Sequence, residues 1–158
     1  MRRTLSLVVA LAAVGVGSAS AQGTSGSINA TAQVVAALTV NGTDLVFGNI
    51  APTSFKTVAP ASGGTFTVTG AASQPVSVSF ALPANLGNAA VAIGSWTGLS
   101  NTSNTTAGAA ALTPSASAQT LSLSGTGSLY LWVGATVTTT AASVGSYSAP
   151  VTLTVVYN

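Results

Sequence analysis

The chain has no cysteine and no histidine, one acidic side chain, Asp44, and three basic ones, Arg2, Arg3 and Lys56, in 158 residues. Each shortage removes a class of chemistry. Without thiolate, imidazole or a second carboxylate, no metal centre can be assembled, so neither metal nor cofactor is expected. General acid–base catalysis needs a group that titrates near working pH, and Asp44, Lys56 and three tyrosines are the whole supply. Lys56 is the one amine that could activate a serine or threonine. It stands in SFKTVAP without a nucleophile motif around it and reads as a solvated loop residue, so no enzyme activity is expected. The missing cysteines also remove the disulfides on which small secreted domains often depend. The fold must rest on its core or on a partner.

The start of the chain reads as an export signal. Arg2 and Arg3 precede an apolar run from Leu5 to Val16, and Ala19-Ser20-Ala21 is a small-x-small cleavage site. This pattern predicts a secretory signal peptide over residues 1–21, with the mature chain beginning at Gln22. The run is short of the ~20 residues a membrane span needs, and no cysteine follows it to carry a lipid. Paired arginines also occur in twin-arginine signals, but the remainder favours the general secretory route. Removing residues 1–21 leaves roughly 137 residues, enough for one sandwich-sized domain. It also leaves Asp44 and Lys56 as the only charged side chains. Nucleic acid, which needs clustered Lys and Arg, and anionic membrane, which needs a polybasic segment, are therefore not expected partners.

What remains is rich in Val, Thr, Ser, Ala and Gly and lacks helix signals. Alternation of apolar and polar residues dominates and predicts strands. In SINATAQVVAALTV the residues Ile28, Ala30, Ala32, Val34, Ala36, Leu38 and Val40 share one face, about twice the length of a typical strand of ~5–6 residues. NGTD at 41–44 reads as a turn, LVFGNI as a strand with Leu45 and Phe47 inward, and residues 51–64 as an irregular connection. Further strands are expected at TFTVTG, at VSVSFAL with Val76, Val78 and Phe80 inward, at AAVAIGSW, at QTLSLSG, and at SLYLWVGATV, where both faces are apolar. Residues 98–108 read as an exposed polar loop. The last strand places Tyr147, Ala149, Val151, Leu153, Val155 and Tyr157 on one face. Seven to nine strands with Gly and Pro punctuation predict an all-β protein: a single antiparallel immunoglobulin-like β-sandwich over residues 35–158.

The two ends suit each other. The first alternation is too long for one strand of such a sandwich, so residues 22–34 are expected to extend from it, and the final strand is apolar and alternating. An unpaired edge beside an exposed core invites a strand from another chain. Tyr157 is penultimate and Gly145 is fourteenth from the end. In this the chain resembles the pilin subunits of bacterial chaperone–usher pili, whose last strand carries that signature. A wider resemblance is to the pilin-like domain of unknown function 4402, and to spore coat protein U-like subunits. It rests on Leu45, Phe47 and Gly48, on Phe66 to Gly70, on Leu129, Tyr130, Val133 and Gly134, and on Gly145, Tyr147, Val155 and Tyr157. Many such subunits carry a disulfide; this chain has no cysteine.

The resemblance implies an immunoglobulin-like sandwich that receives a donated strand. It implies passage through the periplasm to the cell surface or an extracellular fibre. Its partners would be other copies or related subunits, together with a periplasmic chaperone and usher. Ile28, Ala30, Ala32 and Val34 would then be donor residues. Gly145, Tyr147, Val151, Leu153, Val155 and Tyr157 would form the acceptor or chaperone-recognition strand. The alternative is a self-complete secreted module that holds carbohydrate or a surface through Trp96, Tyr130 and Trp132, the residues suited to stacking on sugars.

Overall fold

The computed structural model describes residues 24–158, and the expected signal peptide lies outside the described residues. Residues 24–33 are exposed and belong to no strand or helix. Residues 34–158 form one compact unit. Nine strands follow in order: β1 (Thr39–Thr43), β2 (Thr53–Val58), β3 (Gly64–Thr69), β4 (Pro75–Ala81), β5 (Val91–Asn101), β6 (Ala110–Leu112), β7 (Gln119–Ser122), β8 (Ser128–Thr140) and β9 (Thr152–Tyr157). All pairings are antiparallel. The larger sheet runs β1-β3-β8-β5-β6, with β2 also on β8, and the smaller runs β7-β4-β9. The protein is a two-sheet antiparallel β-sandwich.

β8 organises the larger sheet. β5 lies along one of its sides, while β3 and β2 share the other end to end, β3 on Ser128–Val133 and β2 on Ala135–Thr140. Between β2 and β3 the chain makes a single 3₁₀ turn at Pro60–Ser62, and the residue of β8 facing that turn is Gly134. A β-carbon there would lie 2.6 Å from the Pro60 nitrogen and closer still to the Val58 carbonyl oxygen. The kink exists because Gly134 lets the backbones approach.

The period-2 pattern sets the core. Val76, Val78 and Phe80 of β4 and Leu129, Leu131 and Val133 of β8 are buried, as their alternation predicts, and they meet Val68, Leu112, Leu123 and Leu153 in one cluster. Each such side chain contributes roughly 1.5–3 kcal/mol when fully buried. A second, smaller cluster joins Phe47, Val91, Ile93, Ala135, Val137 and Ala142 at the other end of the sandwich. The opposite face of β8 carries Trp132, 6 % exposed, with Tyr130 stacked on it at 6.2 Å between ring centroids.

Several expectations shift. Residues 41–43 are strand rather than turn, and the ladder begins only at Thr39 although alternation begins at Ile28. Alternation states which way side chains point; a ladder also needs a neighbour. The supposed connection 51–64 contains β2, where Lys56 is an exposed strand residue rather than a loop residue. The polar loop is shorter than expected, because β5 runs on to Asn101 past a bulge between Gly94 and Thr97. LVFGNI is in no strand, yet Phe47 is buried and Leu45 half-buried, so its phase holds. The final ladder covers only Thr152–Tyr157, and residues 145–151 lie outside it.

Candidate functional site: a slot between two unpaired segments

The two segments that miss their expected ladders face each other. Gly42–Ile50 and Ala142–Val151 form opposite walls of a cleft of about 1010 Å³, floored by Phe66, Leu86, Val91, Ile93, Val133 and Val137. Both walls alternate like strands. Leu45 and Phe47 turn inward from one, and Tyr147, Ala149 and Val151 from the other, each half-buried except the buried Phe47, whereas Val46, Ser146, Ser148 and Pro150 are exposed. Leu45, Ile50, Leu86 and Tyr147 pack on the smaller core cluster. Among the described residues, no backbone-to-backbone hydrogen bond engages residues 44–50 or 143–151. The Ser143 carbonyl accepts from the Tyr147 hydroxyl at 2.7 Å; the other N–H and C=O groups of the two segments have no backbone partner, and folded chains normally pair or hydrate such groups.

Two sets of hydrogen bonds hold the chain on either side of the walls. At the far end of β9, outside the slot, the Tyr157 hydroxyl donates to the Ala36 carbonyl at 2.7 Å and accepts from the Ala71 amide at 2.6 Å. Beside the slot, the Ala142 amide donates to the Pro52 carbonyl at 3.2 Å, and the buried Thr139 hydroxyl donates to the Ala51 carbonyl at 2.7 Å. One further extended chain, bonded to both walls, is the arrangement that would complete the ladders.

The sequence-derived residues fall as follows. Gly145, Tyr147 and Val151 lie on the slot wall. Leu153, Val155 and Tyr157 continue that chain as β9, where Leu153 is buried in the larger cluster and Val155 and Tyr157 pack against it. Ile28, Ala30, Ala32 and Val34 are all exposed, Ile28 at 96 % and Val34 at 97 %. Leu45, Phe47 and Gly48 of the wall and Phe66 and Val133 of the floor carried the resemblance but were not assigned to a site from sequence. The signal that could have found the wall is the pairing of an apolar alternation, Leu45 and Phe47, with Gly48, whose backbone is left-handed at φ 65°. Such a backbone leads away from a regular ladder.

Of the three aromatic residues, Tyr130 and Trp132 stack on each other, with Trp132 buried, while Trp96 packs against both core clusters. Trp96 therefore does not join the other two. Asp44 lines the slot and Lys56 is exposed on β2, and among the described residues no group of three His, Cys, Asp or Glu side chains could hold a metal ion.

In comparisons with known proteins, no family model, no curated protein and no solved structure matches the chain.

Proposed function

We propose that the protein is a secreted structural subunit of a bacterial surface fibre or coat, and that its slot receives an extended segment donated by a second copy. The observation that carries this reading is the slot itself: two facing, strand-like, unpaired segments over a core floor. The occupant is the segment around Ser25 to Val34 of another copy. It alternates Ile28, Ala30, Ala32 and Val34 with polar residues, and it is exposed and unpaired. Its length fits. The six alternating wall residues 146–151, which follow the bend at Val144–Gly145, span about 20 Å at ~3.3 Å per residue, and a donor of that length is available.

The donor face is mostly alanine, so the area it buries is small at roughly 25 cal/mol per Å². Main-chain bonding to both walls, about 0.5–1.5 kcal/mol net per hydrogen bond, contributes a large share. Recognition is then broad in side chains and strict in backbone, which suits one subunit stacking on the next. A chaperone and usher would handle such a subunit in transit, since an open edge is an aggregation hazard.

The test is electrophoresis of the mature protein, unboiled and boiled, beside a variant lacking residues 22–33. Strand donation predicts a boiling-sensitive ladder that disappears in the truncated form. A single monomer band in every lane, with monomeric size on native chromatography, would overturn the reading.

A further inference from the structure

We propose that a cavity at the opposite edge of the sandwich binds one neutral sugar residue at the end of a glycan, with the hydroxyl of Ser100 as its anchor. The site is separate from the slot, and the inference stands whether or not a strand is donated there.

The cavity, of about 300 Å³, opens between the sheets where β5 and β6 meet β7. β1 and β6 are the two ends of the strand order in the larger sheet. β1 borders the slot, β6 borders this cavity, and no residue lines both. A strand seated in the slot therefore leaves the cavity open.

Ser100 stands in register opposite Leu131 of β8. Residues directly opposite share a face of the sheet, and Leu131 is fully buried, so Ser100 points between the sheets. It is 7 % exposed, and Ser100 and Thr139 are the two buried polar residues among those described. Thr139 spends its hydroxyl on the Ser54 amide and on the Ala51 and Ser54 carbonyls. The Ser100 hydroxyl bonds to no described protein group, yet it is not sealed from solvent, because it opens into the cavity it lines. A hydroxyl without a partner at a core position is costly. Here only an occupant of the cavity can satisfy it.

The rest of the lining states the chemistry of that occupant. Thr102 and Ser122 add hydroxyls, and Ala110, Leu121 and Leu129 add an apolar strip. Neither Asp44 nor Lys56 lines the cavity, so a charged ligand would lose its hydration without a counter-charge. A sugar ring carries hydroxyls around its rim and C–H groups on its faces, which matches both parts of the lining. The volume sits at the lower bound of about 300–1,000 Å³ for small-molecule sites and admits one ring. Gly108, at the mouth, has nothing within 4 Å of an added β-carbon, which leaves room for the rest of a glycan. The loop around the mouth is held in place beforehand. The Asn101 amide group donates to the Thr105 and Ala107 carbonyls at 2.8 and 3.4 Å, and its oxygen accepts from the Ser103 amide at 3.2 Å. A loop ordered in advance lowers the cost of binding.

Saturation-transfer NMR on the mature protein tests this, since it observes the ligand and works on single or assembled subunits. The probes are methyl glycosides of glucose, galactose, mannose, fucose and N-acetylglucosamine, with methyl glucuronide as the charged control. At least one neutral glycoside should receive saturation, with a Kd on the order of millimolar as one small ring allows, and the glucuronide should not. Ser100→Ala should weaken that binding about tenfold while the melting temperature holds or rises, because no protein hydrogen bond is lost. Ala110→Leu, at an exposed position on the cavity wall, should abolish binding by filling the site. Transfer to no neutral glycoside, or undiminished transfer in either folded variant, would overturn the proposal, as would equal transfer to the glucuronide. Beads carrying the bound sugar should capture the protein. Binding of the free glycoside without capture would overturn the glycan end as ligand and leave a soluble sugar in its place.

Discussion

The hydroxyl of Tyr157 donates to the carbonyl oxygen of Ala36 at 2.7 Å, joining the last strand to a point 121 residues earlier. The Tyr157 hydroxyl also accepts from the Ala71 amide, and Gly70 beside it has no side chain to displace the ring: a β-carbon there would collide with the phenol oxygen and lie 2.8 Å from Leu38 Cδ2. One hydroxyl therefore links the segment before β1, the turn after β3 and the end of β9. Tyr157→Phe keeps the ring packing and leaves Ala36 and Ala71 without this partner. The expected loss is about 1–3 kcal/mol, read as a lower urea midpoint at unchanged slope.

Glycine substitutions separate close approach from mere flexibility. Gly134→Ala places its methyl against the 3₁₀ turn at Val58–Pro60, so it should destabilise by on the order of 2–4 kcal/mol, as forced backbone displacement does. Gly94, on the bulged strand β5, has nothing within 4 Å of an added β-carbon. Gly94→Ala should be neutral or stabilising by about 0.5–1 kcal/mol, because glycine in a strand carries an entropic penalty. Thermal melts of the two variants check the contrast, and equal effects would contradict the packing at Gly134.

The fold class and the inward residues of β3, β4, β8 and β9 were legible because a period of two, once set, assigns faces without reference to neighbours. Phe66–Val68, Val76–Phe80 and Leu129–Val133 show this. Strand boundaries were less legible, because a ladder requires a partner that local sequence does not name. Residues 45–50 and 145–151 carry strand-like alternation and lie in no strand. That mismatch marks the candidate site, and it is what the proposed strand donation would resolve. β2 escaped notice because Thr53–Val58 is an edge strand with Phe55 72 % exposed and Lys56 outside the core, so its alternation is weak.

Ala141 ends β8 in a left-handed conformation at φ 48°, immediately before the slot wall begins. An L-residue in that region costs roughly 1–2 kcal/mol, and glycine removes most of the cost. Ala141→Gly should therefore raise stability by about 0.5–1 kcal/mol once the added unfolded-state freedom is subtracted. Equilibrium unfolding measures it, and a loss would mean that the conformation is not strained.

Ile28 and Val34 are nearly fully exposed, so the isolated fold does not depend on them. Ile28→Asp combined with Val34→Asp should leave the monomer's melting temperature within about 1–2 °C, as surface changes do. The same pair should abolish the boiling-sensitive ladder, because two carboxylates would be buried without partners in the slot. A preserved ladder would remove this segment as the donor. Lost monomer stability would place its side chains in the subunit's own core.

Salt gives the last discrimination. Asp44 and Lys56 are the only charged side chains among residues 24–158, and both are exposed. Screening acts on charges within a Debye length, about 30 Å at 0.01 M and 3 Å at 1 M, and here it finds almost nothing to screen. Assembly through main-chain hydrogen bonds and small apolar side chains should keep its strength in sodium chloride across that range. It should strengthen in sulfate, which favours burial by exclusion from the surface. Sedimentation at each salt concentration measures both. Steep weakening in sodium chloride would require charge pairs that the described residues cannot supply, and would point to assembly held by another component instead of the donated strand.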